Sequence, residues 1–167
     1  MSFFVSNNIR ENVKLHLFFY GAPDPPKHLE IMANRNISKK DVAGLIKRML
    51  YKYKKGRKIE AFENCFIEKN SLIRVVEELA KTRNVYLLDR NGENIRETEI
   101  KENPIFILGD HEGLPKKELK RISKKAIKVS LGKVNYFSSQ IITILNNELD
   151  IRGINWKYHP HKKQELI

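Results

Sequence analysis

The sequence has little cysteine, no long apolar run and no acidic surplus. Cys65 is the one cysteine among 167 residues, so the chain offers neither an internal disulfide nor zinc-ligand spacing, and we expect an intracellular protein. No run of about 18 apolar residues predicts a membrane helix. The N-terminal MSFFVSNNIRENV lacks the basic region of a signal peptide. With 41% hydrophobic residues, the chain is expected to fold as a single domain over residues 1–167.

Several familiar motifs are also missing. There is no G-x-G-x-x-G after a predicted strand, no G-x-x-x-x-G-K-[ST], no G-x-S-x-G and no H-E-x-x-H. Their absence counts against the dinucleotide-binding fold, P-loop nucleotide hydrolases, serine hydrolases and zinc proteases. The five histidines are scattered, and only His159 and His161 lie close together, in the C-terminal tail. We therefore expect no metal site.

Positive charge is the strongest feature of the composition. Lys and Arg number 32 against 20 Asp and Glu, which gives a net charge of +12 and a pI near 9.8. Such a surplus favours a polyanionic partner, with nucleic acid ahead of an anionic membrane. Two clusters of cations are candidate RNA contacts: Lys52, Lys54, Lys55, Arg57 and Lys58 in the first, and Lys116, Lys117, Lys120, Arg121, Lys124 and Lys125 in the second. The alternative is that the first complements a helix dipole and the second is a solvated face.

The hydrophobic pattern predicts alternating strands and helices. Strands are predicted at residues 13–20, 29–32, 85–88, 104–108 and 127–131, the fourth of them buried on both faces. Helices are predicted from an N-cap at Ser38 to near Gly56, after an N-cap at Ser71, at residues 115–125, and from Ser138 or Ser139 to Leu149. Asn91-Gly92 is a strong turn signal. Together these elements predict an α/β fold with a largely parallel sheet.

Three loops follow the last three predicted strands, where open α/β sheets hold their ligands. They are LDRNGE (residues 88–93), GDHEG (109–113) and LGKVNYFS (131–138). Glycine at such a strand end allows the backbone to approach a ligand closely. The three loops predict a small-molecule pocket lined largely by backbone.

The motifs in these loops resemble one known family along nearly the whole chain. IRENVKLHLFFYGAPDPPKHLEI, AGLIKRML, NVYLLDRNGENI, ENPIFILGDHEGLP and VSLGKVNYFSSQIITILNNELD are similar in order and spacing to the archaeal TrmY family of SPOUT-class methyltransferases. The resemblance implies a trefoil-knotted α/β fold, a cytoplasmic homodimer and S-adenosyl-L-methionine as methyl donor. It also implies a tRNA substrate, the pseudouridine at position 54 of the T-arm, methylated on N1. A neighbouring family methylates pseudouridine in ribosomal RNA, so that target stays open.

The resemblance also implies which residues form the site. Cofactor contacts are expected from residues at or beyond the three strand ends: Leu88, Leu108, Gly109, Gly113, Ser130, Leu131, Gly132, Phe137 and Ile141. Asp110 is the candidate proton acceptor or the polar group that orients the target base, or else it caps the following turn. Arg10 is expected to contact the target base or a phosphate, or else to pair with Glu11 or Asp24. His111 is expected to contact phosphate, relay a proton or face solvent. For RNA, Lys55, Arg57, Lys116, Lys117, Lys120 and Arg121 are the expected contacts.

Two departures from the family pattern leave a rival function open. Family members carry a strand and most of a helix before the position of Ser2, so we expect a chain shortened at its N-terminus. They also often have cysteine at the position of Ile141, where isoleucine keeps the apolar contact but lacks the thiol. Both departures are compatible with a non-catalytic RNA-binding protein of the same fold.

Overall fold

The computed structural model describes residues 4–5, 8–10, 13–32, 41–110 and 113–154. Nine strands and four helices lie in these ranges. The strands are β1 (Phe4–Val5), β2 (Asn8–Ile9), β3 (Lys14–Phe19), β4 (Lys27–Met32), β5 (Ile59–Phe62), β6 (Cys65–Lys69), β7 (Val85–Asn94), β8 (Ile105–Ile107) and β9 (Ile127–Ser130). The helices are α1 (Val42–Tyr51), α2 (Leu72–Leu79), α3 (Lys116–Ile122) and α4 (Ser138–Ile151).

The first half of the chain, residues 13–70, forms a four-stranded antiparallel sheet with the order β3-β4-β6-β5. Along each strand, successive side chains face opposite sides of the sheet. Leu29 and Ile67 are directly opposite each other in neighbouring strands and pack with Met49 of α1 in a fully buried core. Apolar residues of α1 at helical spacing therefore close one face of this sheet.

The second half, residues 71–154, forms a three-stranded parallel sheet with the order β8-β7-β9. Val85 and Leu87 of β7 pack in one cluster with residues of α2 and α3. Tyr86 and Val129 pack on the other face, in a cluster that includes Leu145 of α4. Helices thus flank both faces of this sheet, as expected for parallel strands.

The predicted α/β class and the parallel sheet flanked by helices are confirmed for the second half. In the first half the pairing is antiparallel, so the expectation of one largely parallel sheet is wrong there. The β5–β6 hairpin was not predicted, although IEAF and CFIEK flank a turn at Asn64, whose φ is 59°. The short β1–β2 hairpin was not predicted either.

Two features near the parallel sheet differ from the sequence prediction. The strand predicted at residues 85–88 resumes and β7 runs to Asn94, but a turn around Asn91-Gly92 fits the structure, because Leu88 and Glu93 both pair with Val129 and residues 89–92 loop out between them. The fourth strand is not buried on both faces, since β8 is an edge strand of three residues, of which only Ile107 is buried. The N-cap at Ser71 is confirmed, since its side chain accepts a hydrogen bond from the Arg74 amide. Ser38, Glu11, His111 and the C-terminal histidines lie outside the described residues.

No helix in the part of the chain that the structure describes is long and apolar enough to span a bilayer.

Candidate functional site at the carboxyl edge of the parallel sheet

The three loops expected to form a site meet at one edge of the parallel sheet. Leu87 pairs with Ile107, and Leu88 pairs with Val129, so Leu88, Leu108 and Ser130 follow one another across the ends of the three strands. In parallel strands all carboxyl ends lie on the same side, which is where α/β sheets bind ligands. The predicted convergence of the three loops is therefore present in the structure.

A tight glycine turn follows β8. The Gly113 amide donates to the Asp110 carbonyl at 3.1 Å, and Gly113 has a φ of +84°, which favours glycine. A β-carbon on Gly109 would lie 2.8 Å from the Cα and carbonyl carbon of Gly113. Both glycines are therefore required by the backbone geometry of this turn. The Asp110 side chain is exposed beside it.

The loop after the first part of β7 is held against β9. Residues 89–92 lie between two stretches of β7 that both pair with Val129. A β-carbon on Gly92 would come within 2.6 Å of the β9 backbone. The Asp89 carboxylate pairs with the Lys128 ammonium at 2.8 Å, and this hydrogen bond lowers the pKa of Asp89. The loop at residues 89–92 is thus fixed to β9, the strand that leads into the third loop at residues 131–138.

Apolar side chains form the wall behind these loops. Four of the predicted cofactor residues pack in one cluster on the α4 side of the sheet while staying only half-buried: Leu88, Leu108, Leu131 and Ile141. The Ser130 hydroxyl accepts from the Gly132 amide at 3.1 Å and so shapes the third loop. Phe137, just before α4, is 80% exposed and packs into none of the core clusters. The edge therefore combines an apolar wall with backbone polar groups.

Arg10 is held by an ion pair that sequence spacing did not indicate. Its guanidinium makes two hydrogen bonds to the Asp150 carboxylate of α4, at 2.7 and 2.5 Å. The Arg10 side chain is 11% exposed, so the pair is largely shielded from water. Asp24, the partner considered from the sequence, instead binds Lys69 and the Tyr53 hydroxyl. An ion pair was one of the alternatives predicted for Arg10. Its partner, 140 residues away in sequence, was not predicted.

The predicted RNA contacts are divided between the two halves of the chain. Lys116, Lys117 and Lys120 are exposed on α3, which begins directly after the glycine turn. Arg121 on the same helix pairs with Glu77 of α2 at 2.7 Å. Lys55 and Arg57 lie in the exposed connection between α1 and β5, on the antiparallel half. The structure therefore does not unite the predicted RNA residues in one element.

Within the described ranges, side chains that could bind a metal ion do not cluster. Among the described residues, no group of three or more His, Cys, Asp and Glu side chains has the arrangement to hold a metal ion. Cys65 is buried in the core of the antiparallel half, and burial raises the pKa of its thiol. A buried, protonated thiol is a poor nucleophile.

A parallel sheet whose strands end in glycine loops defines, as a class, an α/β protein with a ligand site at the carboxyl edge. Comparison of the sequence with protein families identifies that class further. The family described as "Putative SAM-dependent RNA methyltransferase" matches residues 1–154, and the chain belongs to this family. The predicted TrmY-like membership, the methyltransferase activity and the cofactor S-adenosylmethionine are thereby confirmed.

Relatives occur in both bacteria and archaea. A Vibrio atlanticus protein named "Putative pseudouridine methyltransferase" is 33% identical, covering 90% of this chain and 80% of the relative. The Thermococcus kodakarensis tRNA (pseudouridine(54)-N(1))-methyltransferase is 30% identical, covering 89% of this chain and 80% of the relative. Family membership therefore does not restrict the chain to archaea.

A solved structure shares the fold. Archaeoglobus fulgidus Nep1, bound to S-adenosylhomocysteine, matches with a TM-score of 0.51 at 17% sequence identity. The match covers 76% of this chain and 58% of that one. At this identity the likeness concerns the fold alone.

Proposed function

We propose that the protein transfers a methyl group from S-adenosylmethionine to N1 of a pseudouridine in tRNA, at position 54 of the T-arm. The observation that carries this proposal is the set of relatives about 30% identical over about nine-tenths of this chain that are named for that reaction. The net charge of +12 supports an RNA substrate.

The carboxyl edge has the chemistry that S-adenosylmethionine requires. The half-buried wall of Leu88, Leu108, Leu131 and Ile141 fits an adenine ring, and backbone groups of residues 109 and 132 can bind the polar parts. Gly113 and Gly132 have positive φ and leave open space beside their Cα atoms, Gly109 lets the Gly113 backbone pack against it, and Ser130 orients the third loop. Phe137 can cover the ligand from the start of α4. When bound, the cofactor supplies an electrophilic methyl group on a sulfonium.

The roles of the polar residues follow from what N1 methylation needs. Removing the N1 proton makes the ring nitrogen a better nucleophile, and an exposed carboxylate at the edge can accept that proton. We assign this to Asp110, which lies beside the glycine turn. Arg10 is assigned to the base carbonyl or to a phosphate. Its partner Asp150 lies nine residues, about 13 Å, along α4 from Ile141, so a phosphate is the contact that this position favours. The base must leave its stack to reach this edge.

The family pattern also supports the finer features of the proposal. We assign the chain a trefoil knot, a homodimeric state, one domain over residues 1–167 and a cytoplasmic location, where tRNA is its partner. Lys116, Lys117, Lys120 and Arg121 on α3 are assigned to the RNA surface beside the cofactor edge, because α3 starts three residues after Gly113.

A decisive experiment incubates the protein with S-adenosylmethionine and a tRNA carrying pseudouridine at position 54. Mass spectrometry of the digested tRNA should show one added methyl on that nucleoside. Matched substrates are the same tRNA with uridine at position 54 and a ribosomal RNA fragment with pseudouridine. Methylation of the ribosomal fragment alone would move the substrate to the alternative target. Cofactor binding without methylation of any of these RNAs would favour the non-catalytic RNA-binding protein.

The assignment of Asp110 has its own test. Asp110→Asn keeps the size of the side chain but removes the proton acceptor, so kcat should fall at least about 100-fold. Cofactor affinity, measured by calorimetry, should stay unchanged, because the variant keeps the Asp110 carbonyl that accepts from the Gly113 amide in the glycine turn. Full activity of this variant would remove Asp110 from the mechanism.

A further inference from the structure

Tyr51 is the most exposed tyrosine among the described residues. It is the last residue of α1 and is 78% exposed, whereas Met49 of the same helix is fully buried. The α1 residues that close the core are Leu45, Ile46, Met49 and Leu50, so the Tyr51 ring is not needed for packing. The Lys47 ammonium lies over this ring, 6.0 Å from its centroid. A large aromatic side chain in this position is available to a partner.

The surroundings of Tyr51 are strongly basic. Residues 41–60 contain seven Lys and Arg side chains and two carboxylates. Some of these cations are engaged within the protein: Lys52 donates to the Ala61 carbonyl, and Lys58 pairs with Glu30. Lys54, Lys55 and Arg57 are exposed, and no carboxylate of the described residues lies within ion-pair distance of them. Their charge is therefore open to an external anion.

An exposed aromatic ring beside open cations fits a single-stranded nucleic acid. Cations contact the phosphates, and the ring stacks with an unpaired base, whatever its identity. A duplex would use the cations but not the ring, since its bases are already stacked. A membrane surface would need an apolar helix face, and that face of α1 is buried against the sheet.

We infer that Tyr51, Lys54, Lys55 and Arg57 form a second RNA contact, which stacks one unpaired nucleotide on the Tyr51 ring. This contact belongs to the antiparallel half and packs on a different core from the cofactor edge. It rests on the proposed function in one respect, namely that the substrate is RNA. Its contribution is to RNA affinity and not to the chemical step, so it raises the occupancy of the site without changing the bound geometry.

The test measures binding of a fluorescent oligonucleotide to the full chain by anisotropy, without cofactor. Tyr51→Ala should weaken binding of a single-stranded RNA at least about fivefold, which is the low end for loss of one base–aromatic stack. Tyr51→Phe, the matched control, keeps the ring and should bind within about twofold of wild type. Binding of a blunt duplex of the same sequence should not change in either variant. The triple variant Lys54→Ala, Lys55→Ala, Arg57→Ala should weaken binding of both RNAs and reduce its salt dependence.

The outcomes separate this inference from the proposed function. If Tyr51→Ala binds single strands as wild type does, the stacking contact is overturned, whether or not the enzyme methylates tRNA. Equal losses for Ala and Phe, or equal losses for single strand and duplex, would also overturn it. If the binding results hold while wild type methylates no RNA, the proposed reaction fails and the RNA contact stands. With an active enzyme, Tyr51→Ala should raise KM for tRNA and leave kcat unchanged.

Discussion

The core of the antiparallel half and the carboxyl edge of the parallel half bury their apolar side chains to different depths. In the antiparallel half Leu29, Met49 and Ile67 have no exposed surface. In the parallel half the residues at the strand ends, Leu88 and Leu131 among them, stay half-buried although they belong to a core cluster. A closed core contributes stability, whereas a half-open one leaves apolar surface for a ligand. The difference shows that the antiparallel core supports the fold, while the carboxyl edge of the parallel sheet is available for binding.

A network of polar side chains in the antiparallel half contrasts with the charged pair at the parallel edge. On the face of the antiparallel sheet away from α1, His28 bonds to His16 at 2.8 Å and to Glu68 at 3.1 Å, and its ring stacks on Phe18. This network is internal and satisfied. At the parallel edge, by contrast, the Asp89–Lys128 pair between β7 and β9 is partly exposed.

The largest expected effect comes from opening the closed core. Ile67→Ala should lower the free energy of unfolding by about 2–5 kcal/mol, because it leaves a cavity in a fully packed site. Ile141→Ala at the parallel edge should cost less stability, since its side chain is already half-exposed, but should weaken S-adenosylmethionine binding. Urea unfolding and calorimetry with the cofactor measure the two effects. If folded Ile67→Ala lost as much affinity for S-adenosylmethionine as Ile141→Ala, the contrast between the closed core and the binding edge would be wrong.

The glycine turn is the next most sensitive point. Gly109→Ala places a β-carbon 2.8 Å from the Gly113 backbone, which cannot move aside like a side chain. Overpacking of this kind costs about 1–3 kcal/mol. We expect the turn to shift and cofactor affinity to fall at least about tenfold, as measured by calorimetry.

Gly21→Ala is the matched control for the turn. Gly21 lies in the antiparallel half, its φ is not in the left-handed region, and no heavy atom lies within 4 Å of an added β-carbon. This variant should keep wild-type stability and cofactor affinity. Unchanged cofactor binding in Gly109→Ala would show that the turn does not contact the ligand.

How much the sequence could predict also differs between the halves. Apolar strands that end in glycine predicted the carboxyl edge of the parallel sheet. Four of the predicted cofactor residues pack in one cluster there. These signals are local, so the sequence alone carries them. The antiparallel pairing of β4 with β6 joins strands more than thirty residues apart and depends on tertiary contacts. Local propensity could not choose that pairing.

The same limit applies to individual site residues. Asp150 looks like any polar residue of an amphipathic helix, and nothing in its spacing indicates the Arg10 pair. Asn91-Gly92 is a good turn sequence, yet Gly92 is needed because β7 passes close to the β9 backbone. Close approach between segments distant in sequence has no local signature.

A smaller effect is expected from acid. Burial, with a contribution from His28, lowers the pKa of His16 to about 4, so His16 is neutral in the folded protein where the unfolded chain binds a proton. Stability should therefore be full above the unfolded value of 6.5 and fall as the pH drops toward 4. Between pH 7 and pH 5 we expect a loss of about 2 kcal/mol in urea unfolding.

The groups around His16 separate its contribution from theirs. Lys14 and Lys58 overcome the effect of burial and lower the pKa of Glu30 to about 2, so Glu30 stays charged throughout this window. His28 has a lowered pKa because of burial, opposed by Glu68, and adds to the same trend. His16→Gln should flatten the pH dependence without removing it. If the free energy of unfolding of this variant fell with decreasing pH as steeply as that of wild type, His16 would not be the source of the acid sensitivity.

The smallest effect concerns the exposed charges between α2 and α3. Glu77 pairs with Arg121 at 2.7 Å and with Lys125 at 3.6 Å, and the hydrogen bond from Arg121 lowers the pKa of Glu77. Exposed pairs contribute little to stability, so Glu77→Gln should leave the unfolding midpoint unchanged. Freeing two cations on the predicted RNA surface should raise tRNA affinity by no more than about threefold, and only at low salt. Glu78→Gln is the matched control, because Glu78 pairs with Lys81 on its own side and not with α3. Equal gains in affinity for both variants would mean that net charge alone, and not the α3 surface, attracts the RNA.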